Sequence, residues 1–352
     1  MNKIVKEDIS EILASDLIDW RDFKNKVFLI TGATGMLPSY MAYTLLELNN
    51  KLKYNIKIYL LVRNKQKALS LFQDYLDDEN LEFIIGDVCD PIKIDEKIDY
   101  IIHAASQASP KYYGIDPVGT ARANIIGTDN LLRMAVEHNV TGFFYFSTGG
   151  VYGNLESEDI IIREEMTGKV DPLNVRSCYF ESKRMGENLC VDYNYQYNVP
   201  TKIARIFHTL GPNMDINDGR AFSDFCKCII ENKDIVLKSD GSARRTFLYV
   251  TDAVIAYFLI LIKGQNAESY NVGASSKQEV SMRDLAELLV KEYPGKNLSV
   301  RFELDTTSVT YSRMKNPVNR IIPSTIKLQN LGWKEEKNYL YSFKRTIDSK
   351  IS

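Results

Sequence analysis

Residues 26–49 read KVFLITGATGMLPSYMAYTLLELN. The apolar run 27–30 closes on Thr31-Gly32, the pattern of a short strand buried on both faces. From Met36 onward apolar residues recur at helical spacing. Glycine between the two lets the chain turn sharply and lets a bulky phosphate approach the main chain. The helix that follows offers free N–H groups and its positive dipole end. A glycine-rich turn alone is often only a tight turn, but here strand, loop and helix agree. The stretch therefore predicts a dinucleotide site, with Gly32, Thr34, Gly35, Met36 and Leu37 as candidate cofactor-binding residues. Pro38 stands where such loops usually carry a third small residue; proline is tolerated in a first helical turn, though its bulk loosens contact there.

The same alternation continues outward. Residues 56–62, 81–87, 97–105, 142–148 and 201–207 read as further strands, and 119–138 and 179–197 as helices. An amphipathic helix is expected at about 9–20. Strand alternating with helix predicts an α/β fold, a Rossmann-type doubly wound parallel sheet, with a smaller C-terminal substrate-binding lobe. The expected organisation is a helical extension over 1–25, a dinucleotide-binding domain over 26–210 and a lobe over 211–352. Part of 240–275 is expected to return to the first domain.

The chain has 352 residues, 45% hydrophobic and 26% charged, with a formal net charge of -2. That balance gives no reason to expect nucleic acid or an anionic membrane as partner. No apolar run reaches the roughly 20 residues a bilayer demands, and the start lacks a signal-peptide pattern, so a cytoplasmic location is expected. Five cysteines in no CxxC pair, with three histidines, give no zinc or disulfide pattern, and no metal is expected.

Past the second strand the sequence offers Arg63-Asn64-Lys65 and no carboxylate. An acidic residue there bonds the ribose hydroxyls of NAD, whereas arginine accommodates a 2′-phosphate. This leans toward NADP(H) and leaves NAD(H) open, the alternative being a solvated basic loop. Asp87 and Val88 are placed to meet the adenine, or Asp87 caps a turn.

Tyr179 and Lys183 are four apart in a helical segment and share a face. A free tyrosine, with a pKa of about 10, is a poor base. A neighbouring ammonium and a nicotinamide cation lower that value, so the phenolate can take a hydroxyl proton as hydride leaves. Thr148, at the end of the preceding strand, can bond the same oxygen. These three are the candidate catalytic residues.

The segments TGATG, GDV, HAAS, STGGVYG, YFESK, ARIFHTLGP and RRTFLYVTD, between residues 26 and 333, resemble the extended short-chain dehydrogenase/reductases, the NAD-dependent epimerase/dehydratase family acting on nucleotide sugars. ASPKYY at 108–113, RSCYFESKRMGE at 176–187 and MDINDGRAFSDF at 214–225 are most similar to UDP-glucuronate decarboxylases. The resemblance implies cofactor contacts from Ala104, Ala105, Ser106, Asn124 and Ser147. It implies substrate contacts from Ser109, Gly149, Gly150, His208, Arg220 and Arg245, with Arg245 at the diphosphate, and a homodimer. Arginine's planar fork suits a diphosphate.

Two positions depart from the pattern. The decarboxylases carry a glutamate, and the related 4,6-dehydratases an Asp-Glu pair, where this chain has Gly149-Gly150. Elimination of water needs an acid and a base that glycine cannot supply. His208 replaces an asparagine. What remains is hydride transfer at C4 of the sugar. The leading expectation is a 4-keto-hexose reductase; the alternatives are a 4-epimerase with tightly bound NAD, a UDP-glucuronate decarboxylase-like enzyme, and a non-catalytic dinucleotide-binding protein.

Overall fold

The computed structural model describes residues 1–155, 161–303 and 320–351. Its centre is a seven-stranded, wholly parallel sheet in the order β11-β6-β5-β4-β1-β2-β3. The strands are β1 (Val27–Thr31), β2 (Lys57–Val62), β3 (Leu81–Ile85), β4 (Tyr100–His103), β5 (Gly142–Thr148), β6 (Thr201–Ile206) and β11 (Glu268–Val272). β1 and β4 are buried along their whole length, as their apolar runs require, while the edge strand β3 is half exposed. The order reverses between β1 and β4, and doubly wound sheets open a ligand crevice at such a switch point.

Helices cover both faces. α2 (Met36–Leu52) and α7 (Val250–Lys263) pack on one side with α1 (Lys3–Leu13); α4 (Pro117–His138) and α5 (Ser177–Tyr197) pack together on the other. α7 is apolar almost all round and accordingly buried. α3 (Lys65–Leu71) joins β2 to β3.

A second, smaller core joins α6 (Ala221–Ile230), α8 (Met282–Glu292) and the C-terminal helix α10 (Tyr339–Ile351), with β8 (Ile235–Leu237). Short pairings complete this region: β7 (Thr209–Leu210) with β10 (Leu248–Tyr249), β8 with β13 (Val300–Phe302), and β12 (Val280–Ser281) and β14 (Arg320–Ile321) flanking β9 (Arg244–Arg245). α9 (Ile326–Gln329) follows β14.

Most predicted elements fall within a few residues of their expected places. The N-terminal helix does not: it spans Lys3–Leu13 and not 9–20. Asn2 caps it, its side chain accepting from the Ile4 N–H at 2.8 Å, and Trp20–Phe23 form a separate 3-10 turn capped by Asp19.

Candidate active site

The ends of β1 and β4 are sewn together where the crevice opens. Thr31 Oγ1 accepts the N–H of Ala104 at 3.2 Å and of Ala105 at 3.1 Å. Gly32 has φ +65°, and a Cβ there would stand 2.8 Å from the Ala105 backbone. Both its conformation and the close approach of the strands require glycine. Gly35 caps α2, its N–H bonded to the Gly32 carbonyl at 2.9 Å, and Met36 and Leu37 open the helix. Thr34 lies in the turn between the two glycines, and Pro38 is buried in the first turn of α2.

Two buried polar atoms near this crevice have no partner, Ser106 Oγ and Asn124 Oδ1, although the Asn124 amide donates to Ser182 Oγ at 2.9 Å. Such orphaned groups call for a ligand or water. Together with the loop and helix N-terminus they fit a dinucleotide. Beyond β2 and β3, Arg63 Nη1 stands 3.8 Å from Asp87 Oδ2; the Arg63 side chain is largely exposed and that of Asp87 partly. Asp87 also accepts the Cys89 N–H at 2.9 Å, and Val88 is buried beside it.

α5 lies against the end of β5. Tyr179 is buried, with the Thr148 side chain near enough to influence its hydroxyl. Thr148 Oγ1 accepts the Gly150 N–H at 3.1 Å, which fixes its rotamer. Burial raises the Tyr179 pKa, and Thr148 and the Arg220 cation pull it back. Lys183 is 2% exposed; its ammonium donates to the Phe146 carbonyl at 2.6 Å and lies 4.8 Å from the Tyr145 ring centre. Burial brings its pKa down to about 7. The Ser147 hydroxyl points the other way, to Glu187.

The slots beside Gly149 and Gly150 are filled. A Cβ on Gly149 would meet the Phe207 ring at 2.8 Å, and one on Gly150 the Phe180 ring at 2.4 Å. Phe180 packs edge-on to Tyr179 at 5.7 Å, and Tyr113 stacks on Tyr179 at 5.0 Å between ring centres. Sequence reading did not single out these aromatic residues, because their role depends on contacts between distant segments.

The other predicted substrate residues converge from the smaller lobe. His208 packs against both Phe222 and Phe247, with ring centres 5.3 and 5.7 Å away. Burial, then the charges of Arg245 and Arg220, holds its pKa down to about 3, so the ring is neutral. Arg220 donates to Asp218 from Nε at 2.6 Å and stacks on Phe222. Arg245 is buried, donates to the Arg244 carbonyl at 2.7 Å, and has its pKa lowered by burial to about 10. Ser109 reaches across to the Asp218 carbonyl at 2.5 Å and ties the loop after β4 to this lobe. Among the described residues no helix is long and apolar enough to cross a membrane.

Residues 28–273 match the NAD dependent epimerase/dehydratase family. UDP-glucuronic acid decarboxylase 5 of Arabidopsis thaliana is 32% identical over 312 residues, covering 88% of this chain and 84% of its own. UDP-glucuronic acid decarboxylase 3 of the same plant is 33% identical over 285 residues, covering 80% of this chain and 78% of its own. Among solved structures, UDP-glucuronic acid 4-epimerase from Bacillus cereus, in complex with UDP-glucuronic acid and NAD, superposes with a TM-score of 0.75 at 22% identity. It covers 92% of this chain and 98% of its own. The curated relatives favour the decarboxylase alternative over the expected 4-keto reductase, and the NAD-dependent family gives the NADP(H) leaning no support. By its sequence, its parallel sheet and the residues gathered at the switch point, the chain belongs to the NAD-dependent epimerase/dehydratase family and is an enzyme that modifies nucleotide sugars.

Proposed function

We propose that this enzyme retains NAD, oxidises C4 of a UDP-glucuronate-class sugar and reduces the same carbon again, with loss of carbon dioxide between the two steps. One observation carries the reading: Thr148, Tyr179 and Lys183 lie together at the end of β5 and are assigned the proton transfer, while among the described residues the slots beside Gly149 and Gly150 hold the phenyl rings of Phe207 and Phe180. That combination suits oxidation and reduction at C4, and neither glycine supplies the acid and base that elimination of water needs. NAD supplies the hydride acceptor and then the donor.

Tyr179 takes the C4 hydroxyl proton as the C4 hydride departs, Thr148 holds the same oxygen, and the Lys183 cation favours the phenolate. The product is a β-keto acid. Its C5–C6 bond breaks with the electron pair left in the enolate, carbon dioxide departs without a base, and C5 takes a proton from water. Tyr179 then returns its proton to the C4 oxygen as the ketone is reduced. Arg245 and Arg220 are assigned to the diphosphate and sugar, with neutral His208 as a hydrogen-bonding partner. The cofactor loop, Ser106 and Asn124 are assigned to NAD, and Arg63, turned to Asp87, to the adenosine end. A homodimer through α4 and α5 is part of the proposal, since both helices expose apolar side chains, Val118, Val136, Met185 and Val191 among them.

The second reading is 4-epimerisation, favoured by the absence of any acid at 149–150 to deliver a proton to C5. Nuclear magnetic resonance of UDP-glucuronate incubated with the enzyme separates them. A UDP-pentose with carbon dioxide supports the decarboxylase, UDP-galacturonate supports the epimerase, and no change in that sugar or in UDP-glucose removes both.

A further inference from the structure

α5 carries Tyr179, Lys183 and Glu187 at intervals of four, so all three lie on one stripe. That stripe meets the last three residues of β5, one for one. The Phe146 carbonyl accepts from Lys183, the Ser147 hydroxyl donates to Glu187, and the Thr148 side chain stands beside Tyr179. Glu187 is 9% exposed. Its carboxylate also receives a fork from Arg205 on β6, Nε at 3.0 and 3.2 Å and Nη2 at 2.7 Å. Arg205 continues to the Tyr152 hydroxyl at 3.0 Å and the Glu164 carbonyl at 2.7 Å, which anchors the loop after Thr148.

The groups that face Lys183 are few. From its own helix they are Tyr179, Glu187 and Cys190; from β5, Tyr145; from β4, His103; and behind Glu187, Arg205. Burial keeps the Cys190 thiol and the Tyr145 hydroxyl protonated, and it keeps His103 neutral. Burial also pulls Lys183 toward its neutral form, and Glu187 is the first of the groups opposing that pull.

We propose that Glu187 is a positioning residue for the Tyr179–Lys183 pair: through Ser147 it fixes the end of β5, and one turn of α5 beyond Lys183 it places a carboxylate on the lysine's face of the helix. The inference rests on the reading of Tyr179 and Lys183 as the proton-transfer pair. A neutral Lys183 would no longer favour the Tyr179 phenolate, so activity falls as pH rises through the lysine's titration.

The test uses full-length protein carrying its cofactor. Glu187→Gln keeps the side chain's shape and one acceptor for Arg205. It is expected to move the alkaline limb of kcat/KM down by about one pH unit, as loss of a neighbouring opposite charge does. KM for the nucleotide sugar should change less than about twofold on that view, since Glu187 touches no substrate. Glu187→Asp should recover part of the shift. Glu187→Gln with Arg205→Met removes the buried cation that the single change strands, and it should keep a displaced limb. A lone Glu187→Gln that loses activity with the limb unmoved, and that the second change restores, would mean a strut only and would overturn the proposal.

A second readout needs no substrate. Lys183 titrates near 7 when folded and near 10.5 when unfolded, so the unfolded chain binds more protons between those values and stability rises with pH across that window. In Glu187→Gln the rise should begin at lower pH in thermal midpoints. Superimposable midpoint curves for the two proteins would sink the inference even if the enzyme turns over sugars. A shifted curve with no sugar turned over would sink the functional reading and leave this one standing.

Discussion

At the scale of single residues, one side chain and one missing side chain decide what the site can do. Replacing Tyr179 by Phe keeps the stacking on Tyr113 and removes only the hydroxyl. General acid–base groups contribute about 10²–10⁴-fold, so turnover of Tyr179→Phe should fall by that factor while NADH binding, followed by fluorescence, stays near normal. Near-native turnover would remove Tyr179 from the mechanism. Gly32→Ala acts on the cofactor instead. A Cβ 2.8 Å from the Ala105 backbone, on a residue at φ +65°, must push the β1 and β4 ends apart. Left-handed geometry alone costs about 1–2 kcal/mol for a non-glycine residue. The variant should melt lower and lose most of its dinucleotide on purification; retention of a full complement would show that the crevice tolerates the wider spacing.

At the scale of elements, β9 carries Arg245 and is held from both sides by one carboxylate. Glu279 receives Arg320 from β14 at 2.8 Å and Arg244 from β9 at 2.6 Å. Arg320, and then Arg244, bring its pKa down to about 2 from an ordinary 4.5. The folded value is depressed, so the stabilisation is fully present above about pH 4.5 and is lost as pH falls toward 2. Discounted for the half-exposed Arg244, it is about 1–2 kcal/mol. Glu279→Gln should lower the melting midpoint at pH 7 and flatten its decline between pH 5 and 3. A decline unchanged by the substitution would place the acid sensitivity elsewhere.

The elements also show what the sequence discloses. The strand, glycine turn and helix of 26–49 were legible because a buried strand must be apolar throughout and a phosphate loop must bend on glycine. Tyr179 and Lys183 were legible because helical spacing puts them on one face. β11 was not, because ESYNV holds only two apolar residues, with a polar asparagine buried between them, and takes its pairing from β6. Phe180 and Phe207 were not, because nothing local reveals which distant glycine their rings will fill. The missing acid at 149–150 could be read from the sequence; the aromatic wall that replaces it required the structure.

At the scale of the whole molecule, the two cores are joined by a clasp in which Asp8 and Arg345, both outside the family-matched segment, meet Tyr40 and Tyr249 inside it. Asp8 of α1 is fully buried and accepts the Tyr40 and Tyr249 hydroxyls, each at 2.8 Å, and Arg345 of α10 at 2.7 Å. The N-terminal helix, the sheet's α2, the end of β10 and the C-terminal helix thus share one carboxylate. The parts assigned to the cofactor and the parts assigned to the nucleotide sugar are braced against each other, as the proposed cycle of oxidation and re-reduction of one sugar demands. In that cycle the cofactor stays bound from one turnover to the next. The most direct measurement is to denature the purified protein, identify the dinucleotide released and count it per chain. The account predicts NAD or NADH at close to one per chain; protein that retains none and binds added NADPH more tightly than NADH would contradict it and return the reading to a reductase that consumes its cofactor at every turnover.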